Sequence, residues 1–442
     1  MADVDNLIVG AGISGISAAY HLQKLGQSYL IVDKTKPGGL CNTIASERFL
    51  FDTSGHVIHC HTKYFQDFVK RTIGANLLHL NRKAYFAFRE YLLPYPFQVY
   101  FYRIPDTRVV DECIQGLEQT IKSASGRSPR NFEEWIVTSF GEGISKNFLL
   151  PYNKKVWRFP LRRISLDWVN RYVPKPQVDE IIKLAKEPQS VARAQEYGYN
   201  ASFFYPKFGG IRAFVDAITA KMGNQFASSF IESPLQKIDL DRKSVVLRNG
   251  IDIKWNHLIS TIPLPILVHL LKVVPNSIRF CGKSLKSTSL VSVNIGVRQN
   301  LATDAHWIYF PESDIPFHRV VIQSNLSPYV SPDSTTSLIV EKSLRFGEYM
   351  DLENALNQTI ATLIRKKLIS RRSDVLKMRV NFIKYAYPIY DTDFYKKKHV
   401  LLEFLREHEA FSIGRFGCWE YLSMEDCFLQ GCAVATKIVD RQ

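Results

Sequence analysis

Several features are scarce in this chain, and each scarcity removes a class of answer. Seven cysteines (Cys41, Cys60, Cys113, Cys281, Cys418, Cys427 and Cys432) are spread over 442 residues, an odd number with no CxxC pair. That argues against a disulfide framework and for free thiols in a reducing setting. No apolar run approaches membrane-spanning length, and "MADVDNLIVG" carries no basic-then-apolar leader, so a cytoplasmic protein with no membrane span is expected. No linker, low-complexity tract or internal repeat stands out. With no nucleic-acid motif and no basic tail, nucleic acid is not expected as a partner. Acids are the minority charge: 42 Asp and Glu against 57 Lys and Arg, a formal charge of +15 at pH 7. Such a balance draws anions, whether to a plain basic surface or to a site for an anionic small substrate.

What remains is the composition of a soluble globular protein, 46% apolar and 22% charged, long enough for two or three domains. The strongest local signal is "DNLIVGAGISGISAAYHLQKLGQSYLIVDK". Leu7 to Val9 reads as a buried parallel strand, and Gly10, Gly12 and Gly15 stand at the GxGxxG spacing. A helix is predicted over Ser14 to Leu25, and a second strand ends at Asp33. The first glycine permits the tight turn, the second lets backbone approach a pyrophosphate, and the third permits close helix–strand packing. The helix N-terminus attracts the phosphates, and Asp33 stands where a carboxylate accepts a ribose hydroxyl. Gly38 and Gly39 follow, a pair that resembles the FAD-binding two-dinucleotide flavoproteins more than the NAD dehydrogenases. "PLQKIDLDRKSVVLRNGIDIKWNHLISTIP" reads as three strands, either a plain meander or the later adenine-side segment of that flavoprotein fold.

"EYLLPYPFQVYFYRIP", residues 90–105, fits no ordinary element. Pro94 and Pro96 fix their own φ and bias the residues before them toward extended geometry. The expectation is a stiff segment that is neither helix nor central strand, since two backbone donors are missing.

Beyond single motifs, the whole chain resembles the UDP-galactopyranose mutase family in its eukaryotic-type form, within the amine oxidase and protoporphyrinogen oxidase-like flavoproteins. "GHVIHCHTKYF", "LPYPFQ", "PYNKKVW", "YNASFFYPKFGG", "WIYFPESDIPFHR" and "GRFGCWEY" carry the resemblance. It implies FAD, reduced for catalysis with NADPH or NADH as external reductant. It also implies a nucleotide-diphosphate sugar whose pyranose and furanose forms interconvert through a covalent flavin N5–sugar adduct. By the same resemblance His56, Arg319 and Arg415 are the catalytic group. Gly10, Gly12, Gly15, Asp33, Gly38, Gly39, His56, Arg82 and Arg415 hold the cofactor. Tyr95, Gln98, Asn153, Trp157, Arg171, Asn200, Trp307, Tyr309, Arg319, Tyr387 and Tyr421 contact substrate. Within that set Tyr95 packs on uracil and Gln98 reads it, while Arg319, Tyr387 and Tyr421 reach the diphosphate. No metal is expected despite His56, His59 and His61, because no cysteine or carboxylate stands at ligand spacing.

Two departures from the family pattern stand out. Tyr172 occupies the usual diphosphate-arginine position with Arg171 one residue earlier, and Glu425 stands near a usual Asn or Asp. The implied fold is α/β. A discontinuous FAD-binding Rossmann-like domain (1–80, 205–265, 405–442) joins a helical domain (100–204) and an antiparallel-sheet substrate domain (81–99, 266–404), with homo-oligomers possible. Two other functions stay open: an amine or protoporphyrinogen oxidase, and a flavin-binding protein without catalysis.

Overall fold

The apolar run before Gly10 is the end of strand β1 (Ala2–Val9), in a computed structural model that describes residues 2–122, 128–169, 177–187 and 201–441. Helix α1 (Ile13–Lys24) follows, one residue from the predicted span, and then β2 (Tyr29–Asp33). β1 pairs in parallel with β2 on one side and with β12 (Asp252–Ser260) on the other. β9 (Phe230–Glu232) adds to β2 in parallel. The three strands read after Pro234 are β10 (Leu235–Asp239), β11 (Ser244–Leu247) and β12, paired antiparallel. β18 (Ala410–Ser412) takes the last third of β12, also in parallel. Helix Met424–Val439 crosses α1 so closely that a Cβ on Gly431 would sit 2.7 Å from the Ala18 nitrogen.

A second seven-stranded sheet runs β17-β13-β16-β15-β14-β6-β7. Its members are β6 (Ala84–Phe88), β7 (Tyr91–Pro94), β13 (Thr288–Val297), β14 (Trp307–Tyr309), β15 (Arg319–Ile322), β16 (Thr336–Arg345) and β17 (Val375–Ile383). It is antiparallel except at the β6–β14 seam, where two segments distant in sequence meet without a hairpin to set their direction. Two two-stranded sheets complete the strands: β3 (Thr43–Ser46) with β4 (Phe49–Asp52), and β5 (Leu77–Asn81) with β8 (Ser202–Pro206). Helices Thr107–Lys122 and Phe132–Ile144 pack on each other, and Asn131 caps the second by accepting the Glu134 N–H at 3.0 Å. Glu134 reaches back to the Arg130 N–H, one residue upstream of the usual capping-box partner.

Residues 90–105 correct the sequence reading. β7 is an edge strand, as the prolines demand, but Phe97–Tyr100 forms a helical turn directly after Pro96. Proline forbids a helix interior, not the position in front of one, where its missing N–H is not needed. The Tyr95–Pro96 peptide is cis. Tyr95 and Tyr309 pack against both of the large apolar clusters, which meet along these two rings.

Candidate functional site

The glycine-rich turn makes the first half of the site. Gly10, at φ +100°, donates to the Val32 carbonyl at 2.8 Å, and a side chain there would strike Thr261 Oγ1. A Cβ on Gly15 would fall 1.9 Å from the Gly10 carbonyl oxygen, so α1 packs on β1 only through glycine. Gly12 differs: its missing Cβ points into open space at the N-terminus of α1, where no side chain caps the helix. Gly38 donates to the Ala11 carbonyl at 2.7 Å, and Gly39 backs directly on Gly12. Asp33 Oδ2 accepts the Ala11 N–H at 2.7 Å, and Oδ1 accepts Thr35. An uncapped helix start behind an open glycine, with a carboxylate alongside, fits a pyrophosphate-bearing dinucleotide. Gly414, of "GRFG", lies against Ser14 of the same helix start.

In the second sheet, a buried carboxylate organises the other half of the site. Glu341 of β16 stands opposite Arg319 of β15 in register. Its Oε2 accepts Arg319 Nε at 2.7 Å and pairs with the terminal nitrogen at 2.6 Å, while Oε1 accepts the Gly55 N–H at 2.9 Å. Burial alone would raise the Glu341 carboxyl, but the Arg319 guanidinium, together with His318 and the Gly55 N–H, outweighs it and holds the carboxyl below its usual range. Arg319 is 23% exposed, so part of its fork remains available to a ligand. The loop that Gly55 belongs to presents His56. Burial pushes this imidazole down to about 4, against the pull of Glu341. Its Nδ1–H donates to the Ser54 carbonyl at 3.1 Å, which leaves Nε2 with its lone pair.

Tyrosines fill the space between. Tyr387 and Tyr421 stack with centroids 5.9 Å apart, and Arg415 lies 4.3 Å over the Tyr421 ring. Arg415 donates to the Leu422 and Ala386 carbonyls, tying together the two segments that carry these rings. Tyr95 contacts Tyr309 at 4.5 Å, with the Arg82 guanidinium 5.9 Å from its ring. Burial raises the Tyr95, Tyr309 and Tyr387 hydroxyls, so all three stay protonated and able to donate. Gln98 is buried, and its side-chain carbonyl oxygen has no partner among the described residues. An amide oxygen left this way costs about 1–3 kcal/mol until something donates to it.

Other expected residues are placed less openly. The Asn153 amide is spent within its own helix, donating to the Leu149 carbonyl and accepting from Trp157 Nε1. Trp157 is core, packed edge-on to Trp168 at 4.9 Å. Trp307 is buried, its ring 5.6 Å from that of Phe203, and its side chain interacts with the Tyr309 hydroxyl. Glu425 faces backbone, accepting the His61 and Thr62 N–H groups and the Thr62 hydroxyl. Arg171, Tyr172 and Asn200 lie outside the described residues. Among the described residues no group of three His, Cys, Asp or Glu is placed to hold a metal ion, and no helix is long and apolar enough to cross a membrane.

Sequence reasoning missed Glu341 and Tyr152. Tyr152, next to Asn153, meets Tyr309 edge-on at 5.4 Å and is within electrostatic reach of Arg319. A signal for Glu341 existed: one carboxylate inside the apolar strand "SLIVEKS" demands a buried partner.

Residues 8–72 match the NAD(P)-binding Rossmann-like domain model. Over 100% of its length the chain is similar to reduced UDP-galactopyranose mutase, with 27% identity, a TM-score of 0.93 and 95% of that chain covered. It shares the fold of an Exiguobacterium protein named as a protoporphyrinogen oxidase (TM-score 0.72, 14% identity, both chains fully covered). The same holds for cyclohexylamine oxidase from Brevibacterium oxydans (TM-score 0.70, 14% identity, 99% of each chain). The resemblance read from the sequence is thus matched along the whole chain, and the α/β fold with a dinucleotide-binding domain is that of these flavoproteins.

Proposed function

We propose that this protein is an FAD-dependent nucleotide-sugar mutase that interconverts the pyranose and furanose forms of UDP-galactose or a related sugar nucleotide. The observation that carries the reading is Arg319. It is a guanidinium fixed by a buried carboxylate, still partly open, and it is surrounded by tyrosines that keep their protons. Such a cleft suits a diphosphate, whereas an amine oxidase needs an apolar cage around the C–H bond it oxidises.

FAD would be held by Gly10, Gly12, Gly15, Asp33, Gly38 and Gly39, and when bound and reduced it supplies a nucleophile for the anomeric carbon. The chain's own residues do the rest. Arg319, with Tyr387 and Tyr421, grips the diphosphate and carries its charge as the sugar–phosphate bond breaks. Tyr95 and Gln98 hold the base, and the unsatisfied Gln98 oxygen awaits a ring N–H, which uracil has. His56, neutral with a free Nε2, can accept a proton beside the flavin region without adding a competing positive charge. Arg82 and Arg415 hold the aromatic walls in place. A cytoplasmic enzyme reduced by NADPH or NADH, either alone or as a homo-oligomer, completes the proposal.

The test is to incubate dithionite-reduced protein with UDP-galactofuranose and follow the products chromatographically. Conversion without oxygen uptake is expected. Absence of turnover with any nucleotide sugar, together with flavin reduction by an amine, would overturn the mutase in favour of the oxidase.

A further inference from the structure

No aspartate or glutamate occurs between Asp252 and Asp304, a stretch that contains Lys272, Arg279, Lys283 and Lys286. Its middle forms one helical hairpin, Leu264–Leu270 followed by Asn276–Ser284. The second helix buries Ile278 and Gly282, the latter so tightly that a Cβ would sit 2.8 Å from Val268 Cγ1. The opposite face presents Phe280, which is 68% exposed, and the turn before the helix presents Val273, 69% exposed. A phenylalanine one turn from Asn276 and three residues from Lys283 stands at the solvent pole of its helix, not on the packed side.

The charges around it match this exposure. Lys272 is engaged by Asp239 and Lys286 by Asp391. Arg279 and Lys283 are exposed and have no ion-pair partner among the described residues. Two protruding apolar side chains thus stand among unpaired cations, on a hairpin with no acid of its own.

We propose that this hairpin is a membrane-surface contact, with Phe280 and Val273 entering the headgroup region of an anionic lipid bilayer and Arg279 and Lys283 pairing with its phosphates and carboxylates. A bilayer satisfies both parts of the surface at once, since apolar tips partition just beneath the headgroups while each nearby cation gains from the anionic surface potential. An acidic protein would meet the cations but would need a pocket for each apolar tip, so the lipid surface is the simpler occupant. The contact is peripheral and reversible, and it is separate from the candidate site, none of whose residues lies on the hairpin.

The test is co-sedimentation of the full chain with phosphatidylcholine vesicles, with and without phosphatidylserine, at low and high salt. Binding is expected only with phosphatidylserine and should fall as salt rises. The double substitution Val273→Ser with Phe280→Ser should weaken partitioning about tenfold, as should Arg279→Glu with Lys283→Glu. Both pairs of side chains are on the surface, so the urea midpoint should be unchanged, and that measurement separates lost binding from lost folding. Failure to pellet with anionic vesicles would overturn the proposal, as would equal binding by the serine variant. Capture of polyglutamate through Arg279 and Lys283, without vesicle binding, would overturn it in favour of an acidic protein partner.

Discussion

Replacing Glu341 by glutamine tests the centre of the site with the least change of shape. The carboxylate is fully buried and accepts from Arg319 twice and from the Gly55 N–H once. A glutamine has one acceptor oxygen and one donor amide. If the oxygen faces Arg319, the amide confronts the Gly55 N–H, and if it is flipped, the amide confronts the guanidinium. Either way one donor meets another. Breaking a buried pair costs about 3–5 kcal/mol, but Arg319 is partly exposed and can be rehydrated through the cleft, which lowers the expected loss to about 2–3 kcal/mol. The measurement is the urea midpoint of each protein from pH 7 downward. Since the folded Glu341 carboxyl lies below its ordinary 4.5, its stabilisation is complete above that value and is lost as pH falls through the depressed folded pKa. The gap between wild type and variant should therefore hold steady from pH 7 to about 5 and close below the folded pKa. UDP affinity should fall about tenfold or more, because the guanidinium is no longer aimed. Equal midpoints and equal UDP affinity at pH 7 would refute the assignment of Glu341 as the residue that fixes Arg319.

Three other outcomes follow from the same geometry. Gln98→Leu removes a buried amide whose oxygen has no partner among the described residues, and UDP affinity should drop by about 1–3 kcal/mol while affinity for other nucleoside diphosphates changes little; an equal loss for all of them by calorimetry would count against base reading. Asp52, buried and accepting from Thr43, Tyr205 and the Ile211 N–H, is pushed up to about 6 by burial despite these bonds. Asp52→Asn should lower the urea midpoint by the equivalent of about 1–3 kcal/mol at pH 7, because the new amide meets a Tyr205 hydroxyl that already accepts from Gln323; an unchanged midpoint would disprove the network. His56, depressed to about 4, should give no titration near 6.5 in the unliganded protein by imidazole NMR, and a midpoint there would show that the ring is not held neutral.

The glycine turn could be read from the sequence because all its determinants lie within thirty-odd residues of one strand–helix–strand unit: spacing, apolar runs and a terminal acid. The strands of the second sheet were readable for the same reason, as apolar runs in "STSLVSVNIGV" and "SLIVEKS". Glu341 was not, since its meaning depends on the β15–β16 register that sets it opposite Arg319. Residues 90–105 show the other limit. Proline's local rule correctly kept the segment out of a sheet's centre, and Tyr91–Pro94 lies at an edge, but tertiary packing of Phe97 against Phe86 and Phe148 coils the chain at once after Pro96. The motif that carries Asn153 and Trp157 fixes their position and not the side-chain bond between them, Trp157 Nε1–H to Asn153 Oδ1.

The pairing of β1 with β12 and β12 with β18 has a consequence for how the protein comes into being. In a nascent chain the glycine turn emerges well before its partners: Ala2 must wait for Ile253, and Leu258 must wait for Ala410. The helix that braces α1, with Gly431 against Ala18, is made long after α1 itself. This strand–helix–strand unit is therefore completed late, and until then the edge of β1 that takes β12 stands uncovered. A glycine cradle built from segments this far apart in sequence is one that can close only after Gly431 has been made.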